Sequence, residues 1–103
     1  MTQDISIESY LEQFKSDFQL IDVREEYEFE EIHMHNAVNI PLSEFQFRMD
    51  EIAEDKPVVF VCRTGNRSGI AGDMLSTNGH DQVYNLLEGI VGWMQRGHEA
   101  VEG

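Results

Sequence analysis

Val58-Val59-Phe60-Val61-Cys62-Arg63-Thr64-Gly65-Asn66-Arg67-Ser68-Gly69-Ile70-Ala71-Gly72-Asp73-Met74-Leu75 changes character twice along its length. Val58 to Val61 is an unbroken β-branched and aromatic run, the composition of a strand buried on both faces. From Gly69 onward, apolar side chains recur at helical spacing. Between them lies a short loop that opens with the only cysteine in the chain, Cys62. The carboxyl end of a strand is where open α/β sheets bind ligands. The peptide N–H groups of Arg63 to Ser68 can turn inward as an anion-binding cup. A helix beginning near Ser68 adds its positive dipole end, and Arg63 and Arg67 add full charges. A buried, inert thiol is the ordinary reading of a cysteine. A thiol at the base of such a cup instead ionises more readily than a free one, whose pKa is about 8.5. The stretch reads as an activated thiolate facing a small anion.

Working outward, Ile5 starts a short edge strand and Ser6 caps a helix with Ile7, Tyr10, Leu11 and Phe14 on its buried face. Phe18 to Val23 reads as a strand, and the acidic run Glu25 to Glu31 as a short helix. That acidic run is first of all a solvated face. Val38 to Ile40 is a short strand. Pro41 opens a helix buried through Leu42, Phe45, Met49 and Ile52. The helix after the cysteine loop stops at Asn78-Gly79. Val83 to Leu86 is the last strand, and Gly89 and Gly92 flank a final short helix carrying Trp93 and Met94. Trp93 and the Met and Phe residues read as core. Strands alternate with helices, which predicts one α/β domain over residues 1–103: a mostly parallel five-stranded sheet with helices on both faces.

The chain has 103 residues, seven basic and twenty acidic side chains and a formal charge of −13. That balance argues against nucleic acid and anionic membrane as partners and leaves a basic protein partner open. A lone Cys62 makes no internal disulfide. His33, His35, His80 and His98 form no ligand pattern, so neither a metal nor a cofactor is expected. His33 is expected to bond backbone. No apolar run reaches membrane-spanning length, about 20 residues. Met1-Thr2-Gln3-Asp4 lacks the basic-then-apolar pattern of a secretory signal. The expected compartment is the reducing cytoplasm.

Four segments resemble the single-domain rhodaneses, a sulfurtransferase family, along nearly the whole chain. Leu20-Ile21-Asp22-Val23-Arg24 with Glu26-Tyr27-Glu28 is similar to the first family signature. Ile32 to Pro41 resembles the segment Gly-His-Ile-Pro-Gly-Ala-x-Asn-Ile-Pro. The Cys62 loop resembles the persulfide-forming loop. Val83 to Trp93 resembles the closing signature, Leu-x-Gly-Gly followed by Trp. Ile32, His35, Asn36 and Glu88 depart from the family's Gly, Pro, Gly and Gly. Asn36 is expected to keep its turn because asparagine tolerates left-handed backbone. Ile32 and His35 leave the path of that loop open. Glu88 is expected to put a charge near the active-site mouth, and with the total of −13 repelling a dianion on approach, thiosulfate is expected to be a poor donor.

The resemblance implies a thiosulfate or persulfide sulfurtransferase. Cys62 would take a sulfane sulfur from a small sulfur-containing anion or a persulfide, hold it as a persulfide, and pass it to cyanide or a thiol. Arg63 and Arg67 would contact substrate, and Gly65 would supply a backbone conformation closed to other residues. Thr64, Asn66 and Ser68 either bond substrate or cap the loop and helix. Asp22 and Arg24, ending a neighbouring strand, would brace the Cys62 loop. Two other classes stay open. A cysteine phosphatase or arsenate reductase also sets a cysteine in an anion cup, but with five residues before its arginine; four separate Cys62 from Arg67. A non-catalytic binding or sulfur-carrier module is the other.

Overall fold

The computed structural model describes residues 2–103. Five parallel strands form one sheet: β1 (Gln3–Ile5), β2 (Gln19–Asp22), β3 (Val38–Asn39), β4 (Val58–Val61) and β5 (Val83–Leu86), in the order β1-β5-β4-β2-β3. β4 lies in the middle, and all four of its residues are buried. Its side chains alternate between two apolar layers. Val58, Phe60 and Cys62 point into one layer with Phe45, Ala71 and Leu75. Val59 and Val61 point into the other with Ile7, Tyr10 and Ile90. The first layer is covered by α3 (Phe45–Arg48) and α4 (Asn66–Thr77), the second by α1 (Ile7–Gln13) and α5 (Gly89–Gln95). The period-2 geometry of a strand thus hands Cys62 to the α4 side. The sheet is parallel throughout, with helices on both faces.

Ser6 caps α1, its hydroxyl accepting the Ser9 N–H at 3.0 Å. α2 (Glu26–Glu31) opens with a capping box between Glu25 and Glu28. Asn36 sits at φ 68°, the left-handed turn its residue type allows. Ile32 is extended at φ −161°, a backbone that any residue adopts.

Several expectations are corrected. The segment after Pro41 is not one α-helix: 3₁₀ turns at Leu42–Glu44 and Met49–Glu51 flank α3. Leu42, Phe45, Met49 and Ile52 are spaced i, i+3, i+7, i+10, and all four still face the layer around Phe60. Leu11 is exposed, because α1 turns Ile7 and Tyr10 inward. Phe47 and Met94 are exposed rather than core. Gly92 lies inside α5, where a Cβ would stand 2.5 Å from that of Glu88. α4 begins at Asn66, two residues before the expected start. Among the described residues, no helix is long and apolar enough to cross a membrane.

Candidate active site

Cys62 follows β4 directly and is 1% exposed. The loop behind it is clamped from the β5–α5 side. The Ile90 and Val91 N–H groups donate to the carbonyls of Cys62 and Arg63 at 2.9 and 3.1 Å. Gly65, at φ 95°, turns the chain into α4. Its Gly69 N–H bonds the Gly65 carbonyl, so the N–H groups of Asn66, Arg67 and Ser68 have no acceptor within the helix. The Gly65 N–H donates to Cys62 Sγ at 3.1 Å, and the Ser68 Oγ lies 3.3 Å from it. Burial pushes the Cys62 thiol up, but the Ser68 hydroxyl and the N–H groups of Ser68, Thr64 and Gly65 outweigh it and hold the thiol below its ordinary value. The earlier start of α4 is what puts Ser68 in the first helical turn, with its N–H aimed at sulfur.

The two loop arginines are in different situations. Arg63 is exposed and has no ion-pair partner among the described residues. Arg67 is held by Glu28 of α2 in a bidentate pair, Nη1–Oε1 2.7 Å and Nη2–Oε2 3.0 Å. The bond to Arg67 keeps the Glu28 carboxyl below the usual carboxylate range. Thr64 and Asn66 are exposed on the loop's outer side.

Asp22 and Arg24 form a buried pair. The Asp22 carboxylate accepts from the Arg24 backbone N–H and from Nε and Nη2. Arg24 Nη2 also donates to the Ile32 carbonyl at 2.6 Å. These bonds fix the end of α2, the helix that carries Glu28. The link to the Cys62 loop therefore runs through α2 and the Glu28–Arg67 pair.

Glu88 does not present a charge to the mouth, which corrects the expectation. Its Oε1 accepts the Ile7 N–H at 3.3 Å and its Oε2 pairs with Arg96, which also bonds Glu8. The start of α1 and a cation satisfy this carboxylate away from the thiol. His33 bonds the Phe29 carbonyl through Nδ1 at 2.8 Å. Among the described residues, no three His, Cys, Asp or Glu side chains gather to hold a metal.

Two participants carried no signal of role in the sequence. Glu28 was one acid in an acidic run. Asn85 was an ordinary strand residue. It is 2% exposed, its Oδ1 faces Ser68 Oγ, and its Nδ2 donates to the Gly65 carbonyl and Asp4 Oδ1, both at 3.0 Å.

Residues 6–96 match the family model described as Rhodanese-like domain. The chain is 46% identical over 85 residues to an uncharacterized protein, YqhL, of Bacillus subtilis, covering 80% of this chain and 68% of that protein. It is 33% identical over 99 residues to a sulfurtransferase of Allochromatium vinosum, covering 94% of this chain and 92% of that one. The chain spans half or less of several other relatives. A crystal structure of a rhodanese-related protein from Thermoplasma volcanium superposes with a TM-score of 0.88 at 30% identity, covering 96% of this chain and 97% of that one. With that fold, that match and a cysteine loop set between strand and helix, the chain belongs to the rhodanese-like domain family.

Proposed function

We propose that the protein is a sulfurtransferase working through a persulfide on Cys62. The observation that carries this is a recessed sulfur facing N–H donors of its own loop, with a thiol held below its ordinary value. The Cys62 thiolate attacks the outer sulfur of thiosulfate. A sulfur–sulfur bond forms, the old one breaks, and its electron pair leaves with sulfite. The terminal persulfide sulfur is anionic and suits the open N–H groups of Asn66 and Arg67. Cyanide or a thiolate then takes that sulfur, and the electron pair returns to Cys62. Intact-mass measurement before and after thiosulfate tests this. One added sulfur, removed by cyanide or a thiol, is expected; an unchanged mass with every sulfane donor tried would refute it.

We further propose that a persulfide of low charge suits the site better than thiosulfate. Arg67 is already neutralised by Glu28, which leaves Arg63 to face a dianion on a protein of charge −13. Such a persulfide could be carried on a basic protein. Glu28→Gln keeps an oxygen for the Glu25 N–H and removes the charge opposing Arg67. A half-exposed ion pair is worth up to about 1 kcal/mol, so kcat/KM for thiosulfate should rise by about two- to fivefold. A neutral persulfide donor should show no gain. Equal gains for both donors would mean that charge is not what the substitution changed.

The phosphatase reading fares worse on loop geometry. Arg67 is turned to Glu28, and with four rather than five residues between Cys62 and Arg67 the loop has fewer backbone donors to surround a tetrahedral oxyanion. Hydrolysis of aryl phosphates should stay at background under conditions that give sulfur transfer. Comparable rates on the two substrate classes would count against the assignment.

A further inference from the structure

The Ser68 hydroxyl has one proton and two acceptors. Cys62 Sγ lies 3.3 Å from Ser68 Oγ, and Asn85 Oδ1 is closer still. All three side chains belong to residues at most 2% exposed, so water does not relieve the conflict. Asn85 cannot resolve it by turning its amide over. Its Nδ2 is committed to two oxygens, the Gly65 carbonyl and Asp4 Oδ1, at 3.0 Å each. A flip would set Oδ1 against both of them. The bond network therefore fixes the oxygen of Asn85 toward Ser68.

The consequence differs between the forms of Cys62. With a neutral thiol, S–H donates to Ser68 Oγ, Ser68 O–H donates to Asn85 Oδ1, and every group is satisfied. With a thiolate, one acceptor must go without. Either Ser68 turns its proton to sulfur and leaves Asn85 Oδ1 facing a lone pair, or it keeps the bond to Asn85 and turns a lone pair to S⁻. A buried acceptor left unsatisfied costs free energy. In the persulfide the negative charge moves to the terminal sulfur, one bond farther from Ser68. Sγ then becomes a weak acceptor, and Ser68 O–H stays with Asn85 without conflict.

We propose that Asn85 is a positioning residue that competes with the Cys62 thiolate for the Ser68 proton, making that thiolate a stronger nucleophile and favouring the sulfur-loaded cysteine over the empty one. The second half rests on the persulfide reading above; the first half does not. Nucleophilicity falls as thiol pKa falls, so a donor partly diverted from sulfur preserves reactivity. Taken by itself the Ser68 hydroxyl would lower the thiol further; sharing its proton with Asn85 curtails that effect.

Titration of thiolate ultraviolet absorbance against pH needs no sulfur donor, and four proteins decide the matter. Asn85→Leu frees the Ser68 proton, and the Cys62 midpoint should fall by about one pH unit, the worth of one hydrogen bond to a charged sulfur. Ser68→Ala in the otherwise natural protein should raise the midpoint by no more than about half a unit, clearly less than Asn85→Leu lowers it, because Asn85 and sulfur share that proton. Adding Asn85→Leu to Ser68→Ala should then change nothing further, since no proton remains to release. An Asn85 that merely supports the fold would shift the midpoint equally with and without Ser68, and that result would overturn the proposal. So would an unchanged or raised midpoint in Asn85→Leu. Should Asn85→Leu fail to fold, the small change Ser68→Ala decides alone: a rise of about one unit would mean that Ser68 gives its proton to sulfur unopposed. For the second half, intact mass at a fixed thiosulfate-to-sulfite ratio should show about tenfold weaker loading of Asn85→Leu, the same one-unit effect read as an equilibrium. Loading unchanged alongside a lowered midpoint would refute the second half only. No loading of the natural protein by any sulfane donor would refute the persulfide reading and leave the titration result standing.

Discussion

Cys62→Ser should leave a folded protein that takes up no sulfur and shows no turnover above background. The substitution exchanges one small buried side chain for another, so the layer shared with Phe60 and Ala71 keeps its packing. What is lost is the atom that bonds to sulfur. A serine hydroxyl has no base beside it here: its neighbours are the Gly65 N–H and the Ser68 hydroxyl. The hydroxyl would remain protonated across the working pH range, and an alcohol is a weak nucleophile without activation. Removing a covalent nucleophile costs on the order of 10³- to 10⁶-fold in rate. The measurements are thiocyanate formation from thiosulfate and cyanide, the mass of the protein after thiosulfate, and a thermal melt to show that the fold survives. A serine protein that turns over at a tenth of the natural rate would end the persulfide mechanism, whatever the geometry of the loop.

Much of this site was legible because its defining features are local. An apolar run, a cysteine, a glycine and a helical repeat stand within a single stretch, and strand–loop–helix follows from their order. Asn36 could be assigned its left-handed turn because that property belongs to the residue itself. What escaped the sequence depends on distant pairing. Glu28 and Arg67 are 39 positions apart, and Ser68 and Asn85 are 17 apart. Nothing in an acidic run says which acid will meet an arginine across the fold. Glu88 is a further case of distant pairing. Its position after β5 points to the mouth, but its carboxylate is taken by Arg96 and the first turn of α1. The 3₁₀ turns around α3 leave no mark in the apolar pattern, because the spacing of Leu42, Phe45, Met49 and Ile52 is that of an α-helical face as well.

Gly65→Ala should destabilise the fold strongly and disable the site, whereas Gly79→Ala should cost less and leave the site intact. The two glycines share a backbone conformation, φ 95° and φ 107°. They differ in what surrounds them. A Cβ at Gly79 meets nothing within 4 Å. Its cost is the left-handed backbone alone, about 1–2 kcal/mol, or about 4–16 °C in melting temperature for a domain near this size. A Cβ at Gly65 would stand 2.2 Å from the Leu87 carbonyl oxygen. That oxygen belongs to backbone between β5 and α5, so it cannot swing aside as a side chain would. Either the loop lifts from that connection or the connection moves, and both routes disturb the cup. Lifting the loop pulls the Gly65 N–H from Cys62 Sγ and the Gly65 carbonyl from Asn85 Nδ2. Moving the connection strains the bonds from Ile90 and Val91 that hold the Cys62 and Arg63 carbonyls. The expected loss is about 3 kcal/mol or more, the range of strain combined with a broken buried network. Thermal melts and sulfur transfer, measured on both variants, separate the two contributions. Gly79→Ala isolates the penalty of backbone conformation and should keep full activity. Equal stability loss in both proteins, with turnover intact in Gly65→Ala, would mean that the loop has room the geometry denies it, and that the cup around Cys62 does not depend on its close approach to β5.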